Sequence, residues 1–600
     1  GPWPGFGAIF GELSYRGTTE YEPFVVLAPR WLYAAFGETH LPYSVSSLLM
    51  HWLNAVLLFG LLRKLLKDQE QAFWAALLFA VYPAHSEVLA VSSFRKHLFA
   101  GLGALGVLTV LLAGGLSPWR RRRGCWALMA RALLGKESAA MLPLLAVLIA
   151  LLWAKEHKSR VDRALLAGLF IECLVFAGAR SWALPRRLGA LQGGDWGSHL
   201  LTSAKSLLWY ASQLPLPRYL CLEHDLMPVE AALSVEGAAV AFGAALLVAF
   251  ACWAWRKDRL VGLGLLWSLC ALLPFLNLIP FLNFSLVADR YLYLASAGWA
   301  LAATRLCALY LPARRRRLVL GAAAALYAVV ALRAGARFAH PLELWKDTVH
   351  CAPLNPRAHG ALGVEYRLRR QYGEAVAELE TAVALHPGYA EPWFDLGLAY
   401  YEAGRLDDAI AATRRYYELM LDVRALVNLG AFYLEAGKLK EAQDALEQAV
   451  SLEPERYEAR LNLGRVRLRL GQLEAAAREF ERAARDESQR AKARAALGEL
   501  EEKRGRRKDA AVHYEESLRL EPEQLETARR LARLYAASGD ARRAVEVIER
   551  LLSRLESRLA ELRARSGAAE RESLNYLEGL CDEARAERTR LLSRRARESR

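Results

Sequence analysis

From Arg357 onward the sequence repeats itself every 33–34 residues, and a period of that length marks a stack of helical hairpins. Each hairpin buries its apolar face only against its neighbours, so the array folds as a stack or not at all. A Leu-Gly pair recurs as Leu362-Gly363, Leu396-Gly397, Leu429-Gly430, Leu463-Gly464 and Leu497-Gly498, with Leu531-Ala532 as a weaker sixth. A small residue follows in the second helix as Ala375, Ala409, Ala442, Ala476, Ala510 and Ala544. Between the helices stand Gly404, Gly437, Gly471, Gly505 and Gly539, where a turn needs positive φ. Small positions let paired helices approach closely, and large ones such as Tyr400, Tyr433, Phe480 and Tyr514 fill the gaps left. The spacing predicts about six repeats over 357–550, then a capping helix and a charged, partly frayed tail over 551–600.

The chain before this array has a different composition. Up to about residue 335 it is rich in Leu, Ala and Trp with widely spaced charges. Apolar runs at about 43–62, 72–84, 97–116, 139–153, 164–182, 232–254, 260–282, 291–311 and 317–335 are long enough, or nearly so, to cross a bilayer. Between them lie basic loops: Arg63-Lys64 with Lys67, Arg120 to Arg123, Lys155 to Arg163, Arg256 to Arg259, and Arg314 to Arg317. Placing all five on the cytoplasmic side makes the crossings alternate. Residues 1–42 and everything after 335, including a 336–356 junction and the repeats, then lie on the periplasmic or lumenal side. The net charge of +15 is accounted for by these loops rather than by a nucleic-acid partner.

Ionisable residues near the apolar runs mark the candidate sites, because such groups are costly at membrane depth. Tyr82-Pro83-Ala84-His85-Ser86-Glu87 and Arg95-Lys96-His97 join two crossings on the external side, where basic residues are normally avoided. The alternative is a loop locked by an Arg95–Glu87 pair. Lys136-Glu137 interrupts 125–153, whose flanks are both basic, so two arms of about 125–134 and 139–153 bring the pair to the external face or a cavity. It serves there as a structural ion pair or as part of a site. The Pro-containing stretch 200–222 reads as interfacial or re-entrant. Asp289 and Arg290 either pair with each other or leave Arg290 as a planar donor fork for phosphate, and Tyr291 and Tyr293 suit an interfacial belt. Cys221 and Cys351 fall on the external side, but sequence alone does not pair them. No Cys/His spacing points to a metal.

The repeats resemble the tetratricopeptide repeat, whose stacks form a superhelix with a concave groove. No regular Lys/Asn pattern marks the groove-facing helix, which argues against a clamp for a C-terminal carboxylate. The whole chain, from about Tyr21 to 550, resembles the transmembrane and tetratricopeptide-repeat family, whose eukaryotic members are GT-C class protein O-mannosyltransferases. The resemblance rests on Tyr21-Glu22-Pro23-Phe24, Tyr82 to Glu87, Arg95-Lys96-His97-Leu98, Leu134-Gly135-Lys136-Glu137, Asp289-Arg290-Tyr291-Leu292-Tyr293, and Leu344-Trp345 with Pro353-Leu354-Asn355. It departs from the family pattern at Glu22, Tyr82 and His97, where the family has Arg, His and Asp. It also implies that the family's acidic pair and the helix before it precede Gly1.

The resemblance therefore implies an all-α chain: a polytopic GT-C-like membrane bundle over 43–335, then the repeat solenoid. It implies a polyprenyl-phosphate sugar as donor substrate, no bound cofactor or metal, and a polypeptide acceptor, with Ser or Thr accepting, in the groove. Glu87, His85 and Glu22 are the acid/base candidates, since a carboxylate must take the acceptor hydroxyl proton. Arg95, Lys96, Lys136 and Arg290 are candidates for the departing lipid phosphate, with Glu137 and Asp289 as ion-pair partners. The rival reading is a non-catalytic, membrane-anchored repeat scaffold for assembling an envelope or membrane complex. A transporter is disfavoured, because no inverted repeat is visible.

Overall fold

The computed structural model describes residues 40–157, 161–183, 191, 194–218, 220–278, 286–565 and 571–598. Every regular element among them is helical. The chain divides into two units, one ending at Ala358 and the other beginning at His359.

In the first unit, helices His40–Leu66, Gln69–Ala80, Lys96–Leu111, Leu142–His157, Arg259–Leu272 and Leu292–Tyr310 enclose a core that includes Leu61, Phe79, Leu105, Leu145, Trp267 and Leu301. Five helical stretches among the described residues are long and apolar enough to cross a membrane, by length and composition: Leu41–Leu66, Ser138–Lys155, Val235–Lys257, Asp289–Tyr310 and Ala313–Arg337. The stretches Lys96–Leu111 and Arg259–Phe275 are apolar but shorter, and the run expected at 72–84 forms the 12-residue helix Gln69–Ala80. Trp52, Leu174, Phe242 and Leu332 are exposed on helix surfaces, the reverse of a water-facing helix.

Two glycines set a close crossing of Arg259–Leu272 with Leu292–Tyr310. A Cβ on Gly264 would lie 2.5 Å from the Gly298 carbonyl oxygen, and one on Gly298 would lie 2.4 Å from that of Gly264. Backbone-to-backbone approach of this kind is what small residues provide between membrane helices. Three polar side chains inside are linked in a chain. Asn54 donates to the Tyr293 hydroxyl at 2.9 Å, and that hydroxyl lies 2.9 Å from His51 Nδ1. His51 Nε2 lies 2.9 Å from the Ala80 carbonyl. A carbonyl only accepts, so Nε2 carries the proton and Nδ1 accepts from Tyr293. Tyr293 is thus a core residue, 2% exposed, and not the interfacial-belt residue its position implied.

The break at Lys136 is as expected. Helix Pro118–Gly135 stops, Lys136 turns extended, and a short 3-10 segment leads into Leu142–His157. The stretch 200–222 is an amphipathic helix, Trp196–Gln213, followed by irregular chain from Leu214. Its buried face is polar (Ser198, His199, Thr202, Ser203, Ser206), and Trp196 and Leu200 are exposed.

In the second unit the repeat is carried out in space. The helix-one glycines face the residue 16 positions later in helix two: a Cβ would meet Leu379 from Gly363, Thr413 from Gly397, Leu446 from Gly430, Phe480 from Gly464 and Tyr514 from Gly498, at 2.3–2.5 Å in each case. Each second-helix alanine from Ala375 to Ala544 is fully buried. The five inter-helix glycines have φ between +72° and +79°. In the first repeat Arg370 takes that place at φ +58°.

The described part of the tail is helical. Arg571–Glu598 is a 28-residue helix whose Leu577, Cys581, Ala584 and Leu591 pack in one core cluster with Leu551, Leu552, Leu555 and Leu559 of Ala541–Arg565. Apolar residues at three- and four-residue steps give a highly charged helix a seam to bury.

Candidate functional site

The first unit gathers charged side chains from three segments far apart in sequence. Glu87 sits on the short helix His85–Ala90, and Arg290 on the single turn Asp289–Tyr291 that opens the Leu292–Tyr310 helix. Glu223 and His224 come from the irregular chain after Gln213. These four side chains and Asp289 are all buried.

Arg290 Nη1 donates to Glu87 Oε1 at 2.8 Å and to the Leu222 carbonyl at 3.0 Å, and Nη2 lies 3.6 Å from Glu223 Oε1. The guanidinium stacks over Phe94 and Tyr291, 4.7 and 5.1 Å from their ring centroids. Glu223 also meets Arg357 at 3.2 Å, whose side chain is 45% exposed. Asp289 does not pair with its neighbour Arg290. Its Oδ2 accepts from the Cys221 N–H at 3.2 Å and lies 3.1 Å from His224 Nε2. A disulfide between Cys221 and Cys351 fastens this segment, with Cα atoms 6.5 Å apart.

Three carboxylates, two arginines and His224 therefore gather in one cluster. Burial opposes a proton on His224, but the Asp289 hydrogen bond and the charges of Asp289, Glu87 and Glu223 outweigh it, so the His224 pKa is raised. Burial pushes the Glu87 carboxyl up to about 7, against the pull of Arg290 and with Asp289 and Glu223 adding to the rise. Glu87 Oε2 and Asp289 Oδ1 are buried without a hydrogen-bond partner among the described residues. Both residues line a cavity of about 20 Å³ beside Ser86 and Cys221, enough for one water. Such an arrangement can accept hydrogen bonds from a small hydroxyl.

The other expected residues are placed as follows. Lys96 and Lys136 are buried, and both, with Arg290, act electrostatically on His97. His97 lines a second cavity of about 20 Å³ with Ser138, Phe275 and Tyr291. Arg95 is buried against the Tyr43 ring at 4.9 Å, so the alternative pairing of Arg95 with Glu87 is corrected: Arg290 holds that carboxylate. His85 Nε2 lies 3.0 Å from Ser296 Oγ, which itself donates to the Tyr293 carbonyl at 2.8 Å, and its ring packs on Tyr293 at 4.6 Å. Its other ring nitrogen, Nδ1, is buried without a hydrogen-bond partner among the described residues. Glu22 and the Glu137 side chain lie outside the described residues. Glu223 and His224 were missed, although Glu223-His224-Asp225 between apolar segments was a visible signal.

Comparison with known proteins bears on the second unit. A family model described as tetratricopeptide repeat matches residues 433–500 and 503–565, and another of the same description matches 349–419. The C-terminal array consists of tetratricopeptide repeats. No curated protein matches the chain. Solved structures similar to it include YrrB, a TPR protein with an unusual peptide-binding site, at 16% identity over 31% of this chain and 96% of that one, TM-score 0.27. PilW, a type IV pilus biogenesis factor, is 21% identical over 37% of this chain and 97% of its own, TM-score 0.30. TTC0263, a thermophilic TPR protein of Thermus thermophilus, is 23% identical over 30% and 99%, TM-score 0.27.

Proposed function

We propose that this is a multi-pass membrane protein whose tetratricopeptide stack, on the periplasmic or lumenal side, captures an extended polypeptide segment and holds it for a membrane-associated process. The repeat array carries this reading, since such stacks offer a continuous concave surface for a partner. The five basic loops support the sidedness, as does the Cys221–Cys351 disulfide, a bond at home in an oxidising compartment. A photo-crosslinking amino acid at Leu398, on the first helix of the second repeat, is expected to form polypeptide adducts in intact cells. The same probe at Val512, exposed on a second helix, is expected to form none. Equal labelling at both positions contradicts groove capture.

A second reading is favoured by the buried charge cluster, which a mere anchor would not need. In it the membrane unit binds a polyprenyl-phosphate sugar and transfers the sugar to a hydroxyl of the captured polypeptide. Lys96, Lys136 and Arg290 supply the cationic side of the site and Glu87 the base, with Arg95 at its edge. Arg290→Gln and Lys136→Gln are expected to abolish binding of a radiolabelled polyprenyl-phosphate sugar to detergent-purified protein. Retained binding by folded variants sinks this reading and leaves the scaffold.

A further inference from the structure

The stretch 220–225 is irregular chain gripped from two directions. Toward the charge cluster, the Cys221 N–H donates to Asp289, the Leu222 carbonyl accepts from Arg290, and His224 Nε2 lies 3.1 Å from Asp289. Toward the chain that leads into the repeats, Cys221 is bonded to Cys351. On that side Asp225 Oδ2 also accepts from the Leu354 N–H at 2.6 Å, and Glu223 meets Arg357 at 3.2 Å. Among the described residues, no backbone–backbone hydrogen bond involves 220–224. A segment held by discrete side-chain contacts opens locally while the helices around it stay folded.

Leu220, Cys221 and Leu222 line the same cavity as Glu87 and Asp289. Glu87 Oε2 and Asp289 Oδ1 are the buried carboxylate oxygens that lack a hydrogen-bond partner among the described residues. Cys351, Leu354 and Arg357 do not line that cavity. One wall of it is therefore fixed by residues that stand outside it.

We infer that 220–225 is a lid over the two carboxylates, and that Cys351, Leu354 and Arg357 latch it shut. Closed, the lid leaves a cavity of about 20 Å³, room for one water. Released, it admits a larger hydroxyl compound to Glu87 and Asp289. The latch is part covalent, through the disulfide, and part ionic, through Arg357. The lid does not depend on what chemistry the cavity serves.

The test is carboxylate footprinting of the full chain in lipid nanodiscs, with a carbodiimide and glycine ethyl ester, read by mass spectrometry. In the wild type, Glu87 and Asp289 are expected to react slowly and the exposed Asp407 quickly. Cys351→Ser combined with Arg357→Gln is expected to speed labelling of Glu87 and Asp289 about tenfold or more, because labelling follows the equilibrium opening of the lid. Cys351→Ser alone should give a smaller rise at the same two residues. Hydrogen exchange over Lys96–Leu111 separates lid opening from unfolding and is expected to stay unchanged in both variants. Wild-type labelling of Glu87 and Asp289 as fast as that of Asp407 would mean that no lid covers them. An unchanged footprint in the folded double variant overturns the latch, and if that variant unfolds, an unchanged footprint in Cys351→Ser does the same.

Discussion

Arg290 donates to Glu87 at 2.8 Å across 203 residues of sequence, with both side chains buried. This contact ties the short helix His85–Ala90 to the start of Leu292–Tyr310. Removing one partner leaves an uncompensated buried charge, which costs about 3–5 kcal/mol. Arg290→Gln is therefore expected to lower the melting temperature of detergent-purified protein markedly. Glu87→Gln in the same chain should recover only part of the loss, because Glu223 keeps Arg357 but still loses the second of its two cations. Full additivity of the two single effects would mean the pair is not coupled.

The His224–Asp289 contact gives a pH dependence with a definite sign. The His224 pKa is raised on folding, so its stabilisation is fully present below the unfolded imidazole value of about 6.5. It is lost as pH rises through the higher folded value. Thermal melts across pH 5.5 to about 8.5 are expected to show stability falling over this window, and His224→Gln should flatten the slope. An unchanged slope in the variant assigns the dependence elsewhere.

The disulfide closes a span of 130 residues. Loop-closure entropy for such a span sets an upper scale of about 5 kcal/mol. Cys221→Ser is expected to lower the melting temperature and to free Cys351 for maleimide labelling under denaturing, non-reducing conditions. A variant with one free thiol fewer than wild type would be incompatible with the bond.

Within the repeats, Gly464→Val places a side chain where Phe480 already lies, since even a Cβ comes within 2.5 Å of that ring. Overpacking of this kind costs about 1–3 kcal/mol. Hydrogen exchange on the full chain is expected to show lost protection over 457–483, with helix His40–Leu66 unaffected. Undiminished protection over 457–483 would mean that the register is wrong.

The repeats were legible because every hairpin must bury the same small and large residues at the same places, so Gly363 to Gly498 announce one packing solution five times. Even Arg370 was recoverable, standing 34 residues before Gly404. The charge cluster was legible only as a set of residues. Arg95 is near Glu87 in sequence and Arg290 is not, yet the tertiary fold gives the carboxylate to Arg290 and turns Arg95 onto Tyr43. Glu223 and His224 lie in chain without periodicity, so nothing there fixed a face. Tyr293 looked interfacial from its place at a helix start. Its role depends on Asn54 and His51, 239 and 242 residues away.

The claim on which the account turns is that the repeat stack stands outside the membrane. Ser488 is exposed between two repeat helices, and Ser488→Cys in a chain whose free cysteines are replaced reports its side directly. A membrane-impermeant maleimide is expected to label it in intact cells or sealed right-side-out vesicles. Labelling only after permeabilisation would place the stack in the cytoplasm and contradict the account.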